Sequence, residues 1–155
     1  VKHSSYLTFR ILQETEYPWD LLLEADPSRG QIETYLPGSE VVGVFCEDVI
    51  IGVLALFPKG RHAVEIKNVS VTLEHRGRGF GRLLLLDAVK RARTQGYSQI
   101  EIGTGNSSLG QLALYQKIGF RIVGIDQDFF IRNYPEPIVE NGVRCRDMVR
   151  LAMKL

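Results

Sequence analysis

The run Val69-Ser70-Val71-Thr72-Leu73-Glu74-His75-Arg76-Gly77-Arg78-Gly79-Phe80-Gly81-Arg82 decides how the rest of the chain is read. It starts as the end of an apolar strand from Ala63 to Thr72, passes three glycines, and enters a stretch of helical periodicity. From Gly79 to Thr94, Leu84, Leu85, Ala88, Val89 and Ala92 fall on one face, with Arg82, Lys90 and Arg93 opposite. Glycine tolerates positive φ and lets the backbone approach a ligand closely. The first N–H groups of a helix have no internal partner and sit at the positive end of its dipole. Strand, glycine turn, helix start and the arginines Arg76, Arg78 and Arg82 together predict a pyrophosphate site. The alternative is a glycine turn with solvated arginines. The spacing is not G-x-G-x-x-G and no G-K-[ST] ending follows, so a dinucleotide fold and a P-loop hydrolase are both poorly supported.

Working outward, Tyr6 to Leu12 alternates like a first strand, and Tyr17-Pro18-Trp19 opens a helix that stops near Pro27. Ser28 to Tyr35 reads as a short helix closed by Pro37-Gly38. Val41–Cys46 and Val49–Phe57 are β-rich runs separated by Glu47-Asp48, a hairpin signal. Downstream, Gly96 ends the long helix, and Gln99 to Gly103 is a short strand. A helix capped by Ser107 or Ser108 then runs to Gly119. Phe120–Ile125 and Val143–Leu151 read as closing strands flanking a Pro-containing excursion. Three consecutive strands in the middle argue against a doubly wound parallel sheet. The expectation is an α/β (α+β) domain with a mixed, mostly antiparallel sheet and helices on both faces. Residues 6–155 read as one domain, and Val1 to Ser5 as a remnant of cloning.

The chain has 155 residues, 45% hydrophobic and 24% charged, with 19 Lys plus Arg against 18 Asp plus Glu. That balance offers no global field for nucleic acid or an anionic membrane. The basic cluster from Arg76 to Arg93 suits a small anionic ligand. The longest apolar run, Val49 to Phe57, is half a membrane span, and no signal peptide is visible, so a cytoplasmic location is the default expectation. Cys46 and Cys145 have no metal or C-x-x-C spacing, and Cys46, after Val41, Val42, Val44 and Phe45, reads as a buried thiol. His62 and His75 have no partners at metal spacing, so no metal is expected.

Arg76 to Gly81 resembles the R-x-x-G-x-G signature of the GNAT superfamily of N-acetyltransferases. Val69-Ser70-Val71 is similar to the family's preceding strand, and Leu114-Tyr115-Gln116-Lys117-Ile118-Gly119-Phe120 to its L-Y-x-K-x-G-F segment. The resemblance implies a GNAT domain with a splayed parallel strand pair. It also implies transfer of acetyl from acetyl-CoA to a primary amine through a tetrahedral intermediate. Arg76, Gly77, Arg78, Gly79, Gly81 and Arg82 would bind the CoA pyrophosphate. Val69 and Val71 would line the pantetheine arm, with the Val71 N–H as candidate oxyanion donor.

Tyr115 would protonate the departing thiolate, or else simply pack as an aromatic helix residue. Glu65 lies where the histone acetyltransferase branch of the family carries its general base. An amine of pKa ~10.4 arrives protonated, so a carboxylate there could remove the proton. The alternatives are a strand glutamate facing solvent or Lys67, with water as base. The family asparagine seven positions before Tyr115 is Ser108 here, and Asn106 stands nearby; either would contact the cofactor arm, or Ser108 only caps a helix. Glu24, Asp26, Asp126, Asp128, Glu136 and Glu140 fall in or near the segments that set acceptor choice in this family, and would suit a cationic small-molecule or peptide amine. A homodimer is compatible with the resemblance. A non-catalytic acyl-CoA sensor is the competing function, although Tyr115 and Glu65 favour an enzyme.

Overall fold

The computed structural model describes residues 6–155; the expectation for residues 1–5 lies outside the described part. The strands are β1 (Leu7–Ile11), β2 (Glu40–Cys46), β3 (Val49–Lys59), β4 (Ala63–Val71), β5 (Gln99–Gly105), β6 (Arg121–Asp126), β7 (Ile138–Glu140), β8 (Val143–Cys145) and β9 (Met148–Lys154). The helices are α1 (Trp19–Ala25), α2 (Arg29–Tyr35), α3 (Phe80–Thr94), α4 (Leu109–Ile118) and α5 (Phe129–Asn133). Seven strands form one sheet in the order β1-β2-β3-β4-β5-β9-β6, and β7 pairs only with β8. Every pairing in the large sheet is antiparallel except β4 with β5. The mixed sheet with helices on both faces is the expected architecture.

The apolar run of β3 is continuous because both faces of that strand are covered. Leu54 and Leu56 join Val64, Ile66, Leu84, Leu85, Ala88 and Ala92 in a core under α3 and α4. Val53 and Ala55 point the other way and meet Leu21, Leu22, Ile32 and Tyr35 of α1 and α2. Each fully buried Leu in these layers contributes about 1.5–3 kcal/mol. Gly52 lets the α3 core close onto the sheet: a Cβ there would lie 2.9 Å from Leu84 and 2.8 Å from Val44.

Two expectations are revised. The stretch from Val143 to Leu151 is not one strand: Arg146 and Asp147 break it, so β8 belongs to a separate hairpin and only β9 enters the sheet. The buried thiol is Cys145, at 4% exposure, whereas Cys46 is only partly covered. Cys46 sits at the end of β2 beside the turn, and the excursion folds over Cys145.

The site is positioned by a local failure of pairing. β4 and β5 form a parallel ladder only over Ala63–Ile66 and Gln99–Ile102. Beyond it, β4 stays paired with β3 as far as Val71 opposite Gly52, and β5 stays paired with β9 as far as Gly105 opposite Met148. The two strands therefore part after Ile66 and Ile102 and leave a cleft. A register shift in β4 pairs Ile66 with Leu56 and Asn68 with Ala55, so Lys67 is the extra residue of a β-bulge at the fork.

Candidate active site

The glycine loop lies at the open end of this cleft. Gly77 and Gly79 have φ of 74° and 85°, the left-handed region that favours glycine, and α3 begins directly after Gly79. A Cβ on either glycine would meet nothing within 4 Å, so the loop is held open rather than packed. No side chain caps α3, whose ladder starts with Leu83 N–H donating to Gly79 C=O at 3.1 Å. Arg78 and Arg82 are exposed and have no ion-pair partner among the described residues. Uncapped N–H groups, open glycines and free guanidinium groups fit a pyrophosphate.

Arg76 is placed differently. Its Nε donates to Val71 C=O at 3.0 Å, and its guanidinium lies 3.4 Å from Glu24 in α1. It ties the loop to the end of β4. His75 is a brace too, with Nδ1 2.7 Å from Thr72 Oγ1 and its ring edge-on to Phe80.

Thr72 N–H donates to Ile51 C=O in β3. Backbone groups alternate sides along a strand, so the N–H and C=O of Val71 and of Val69 face the cleft. Tyr115 lies in α4, in the same core as Ile66, Val69 and Val71. It is 4% exposed, packs its ring 6.3 Å from Phe120, and its hydroxyl donates no hydrogen bond among the described residues. Burial alone pushes its phenol well above the ordinary range, so it stays protonated.

Glu65 is neither solvent-facing nor free. It is 4% exposed, and its oxygens lie 2.7 Å from Lys67, 3.4 Å from Lys59 and 3.7 Å from Arg150. Lys59 is shared with Glu101 at 3.0 Å. Burial works to lower the Lys59 pKa, but Glu101 and Glu65 outweigh it and the pKa is raised. This cluster occupies the sheet face that α1 and α2 partly cover, opposite Tyr115.

A profile of the Acetyltransferase (GNAT) family matches residues 6–120. The chain belongs to this family. A Bacillus subtilis (strain 168) protein, the uncharacterized N-acetyltransferase YvbK, is 50% identical over 137 residues, 88% of each chain. A GNAT family acetyltransferase from Elizabethkingia anophelis, solved with acetyl-CoA bound, superposes with a TM-score of 0.94 at 45% identity, covering 96% of this chain and 98% of that one. A Bacillus subtilis acetyltransferase in complex with CoA gives 0.92 at 47% identity, covering 97% and 99%. This GNAT chain is thus an acyltransferase of the N-acetyltransferase type. Among the described residues no helix is long and apolar enough to cross a membrane.

The other candidate residues of this GNAT protein are distributed unevenly. Asn106 Oδ1 accepts from the N–H groups of Arg146 and Asp147, and its Nδ2 donates to Arg144 C=O, so it clips the β8–β9 turn to the end of β5. Ser108 is 7% exposed and donates to Glu140 at 3.1 Å. Most of the acidic residues near the acceptor side are already engaged: Glu24 by Arg76, Asp126 by Arg132 at 2.7 Å, Glu140 by Ser108. Asp128 instead precedes α5 as its N-terminal cap residue.

One group escaped the sequence reading. Asn68 Nδ2 donates to Leu22 C=O and to Tyr35 Oη, each at 3.0 Å, while its buried Oδ1 has no partner. Asp26 accepts from Tyr134 Oη at 2.7 Å and from Ser28 N–H at 3.1 Å. Burial raises the Asp26 pKa, and the bonds from Tyr134, Ser28 and Tyr35 oppose this without cancelling it. The α1–α2 loop and the excursion after α5 are thereby joined. Tyr134 is 108 residues from Asp26 in sequence, and no local pattern signals such a bond.

Proposed function

We propose that this protein transfers the acetyl group of acetyl-CoA directly to a primary amine, with the acetyl end at the fork of β4 and β5. The observation that carries the reading is the cleft itself: a strand edge with unpaired backbone, ending in an open, uncapped, basic helix start. Acetyl-CoA supplies an activated thioester. Arg78, Arg82 and the first N–H groups of α3 hold its pyrophosphate, with Arg76 fixing the loop. The Val71 N–H serves the arm. The Val69 N–H lies about 7 Å nearer the fork, and so is the better placed of the two to bond the acetyl carbonyl as charge develops on it.

Tyr115 donates a proton or hydrogen bond to the departing thiolate, a role for which a phenol kept neutral by burial is suited. Glu65 accepts the proton of the incoming ammonium; cations already contact both its oxygens, so the transfer runs through water. Cys145 is a poor candidate for a covalent intermediate, since burial pushes its thiol upward in pKa. Asn106 and Ser108 are both hydrogen-bonded internally, so either side chain would meet the cofactor arm only by giving up a bond.

Thiol release from acetyl-CoA across a panel of amines tests the proposal. Amine-dependent release that falls in Tyr115→Phe supports it. CoA binding without release for any amine supports the acyl-CoA sensor, and failure to bind CoA in calorimetry removes both.

A further inference from the structure

The acidic residues that would mark a site for a polycationic acceptor are largely spent on internal partners, and the charge left at the fork is positive. Lys59, Lys67 and Arg150 oppose Glu65 and Glu101, three cations against two anions. Two of the cations stand on the residues where the strands part. Lys67 is the bulged residue immediately after the parallel ladder, and Arg150 pairs in register with Gly103, the first residue of β5 beyond that ladder.

Arg150 is also unspent. Its only ionic contact among the described residues is the 3.7 Å approach to Glu65. That is longer than a hydrogen bond, so its five N–H donors remain available. Its side chain is 37% exposed and that of Lys67 34%, so both reach solvent while converging on one buried carboxylate. The pyrophosphate is not their ligand: Arg76 is nine residues beyond Lys67, so the loop begins far along the strand.

We propose that Arg150 and Lys67 bind a carboxylate of the acceptor, which makes the acceptor an amino acid rather than a polyamine or an aminosugar. Glu65 fixes Lys67 at 2.7 Å and attracts Arg150 toward the same point without bonding it. Guanidinium groups pair with carboxylates through two parallel hydrogen bonds, which fixes orientation as well as position. The Val69 N–H lies two residues from Lys67, about 7 Å along the strand. A carboxylate held at Lys67 and Arg150 thus places an amine a few bonds away at the acetyl carbonyl. This inference rests on the acetyl-transfer reading of the same cleft.

The test compares three sets of acceptors on the intact protein: the standard amino acids, their carboxamides, and the corresponding decarboxylated amines. A hydrogen-bonded charge pair contributes about 1.5–3 kcal/mol, or roughly 10- to 150-fold in kcat/KM. The best amino acid should exceed its amide and its amine by that margin. Arg150→Met should erase the margin and Arg150→Lys retain part of it. Amides or plain amines used as well as the acids would overturn the proposal while leaving acetyl transfer intact. Calorimetry on the CoA complex makes the same comparison without turnover. Selective binding of the carboxylated members supports the proposal even if acetyl transfer fails, and equal or absent binding overturns it.

Discussion

Replacing Tyr115 by Phe separates the catalytic reading of that residue from the packing one, because both leave the fold intact and only the first predicts a loss of rate. The side chain is buried, burial raises the phenol pKa, and the hydroxyl has no hydrogen-bond partner among the described residues. Phe keeps the ring and its contact with Phe120. The hydroxyl makes no hydrogen bond that Phe would lose among the described residues, so its removal should change stability by no more than about 1 kcal/mol. For a domain of this size that is about 2–4 °C in Tm. If the hydroxyl protonates the thiolate, the same change should lower kcat by about 100-fold or more, close to 3 kcal/mol of barrier. The pair of measurements is a thermal melt and a steady-state thiol-release assay. The phenol pKa is raised, so the wild-type kcat should also show no alkaline loss from Tyr115 deprotonation through pH 10. A variant within twofold of wild type in kcat would refute the acid role and leave Tyr115 as a core residue.

Gly79→Ala forces a left-handed backbone onto a residue with a Cβ, a cost of about 1–2 kcal/mol; if the loop relaxes to avoid it, CoA affinity in calorimetry should fall about 5- to 30-fold, and unchanged affinity would show that the loop geometry is not used. Glu65→Gln leaves Lys59, Lys67 and Arg150 facing one another without their buried anion. Those cations are each more than a third exposed, so water screens much of the repulsion; a loss of about 1–2 kcal/mol is expected, read as a lower denaturation midpoint, and no shift would show the cluster to be energetically idle. Asp26 carries a raised pKa in the folded state, so its stabilising contribution is present below the unfolded carboxylate range and is lost as pH rises through the folded value. Tyr134→Phe removes a bond to the ionised form and should raise that pKa further, a shift readable by carboxyl-carbon NMR titration; a lowered value would contradict the bond.

The parts of this molecule that could be read from the sequence are those governed by neighbours in the chain. The α3 stripe, its glycine entry and its Gly96 stop are local periodicity and backbone chemistry, and they appear where the pattern puts them. The Asn141-Gly142 pair was equally legible: both residues have positive φ and join β7 to β8 in the tight hairpin turn that this dipeptide favours. Reading Val143 to Leu151 as one closing strand concealed it. The surroundings of Glu65 and Asp26 are different in kind. Lys59 and Lys67 are near Glu65 in sequence, but Arg150 arrives through β9, and Tyr134 reaches Asp26 from the far end of the chain.

That division bears on how the catalytic apparatus should respond to change. In the proposed mechanism the donor side depends on backbone: two glycines, the first turn of α3, and the cleft edge of β4, none of which requires a particular side chain apart from the arginines. The acceptor side proposed for it depends on side chains converging from β3, β4, β5 and β9, with α1, α2 and the excursion beside them. Altering the acceptor side should therefore change which amine is used while CoA affinity stays constant. The Arg150 variants carry that expectation: their CoA binding should match wild type even where the preference for a carboxylate is gone. Parallel losses of both would mean that the fork is one mechanical unit, with β9 supporting the donor cleft as well as the acceptor.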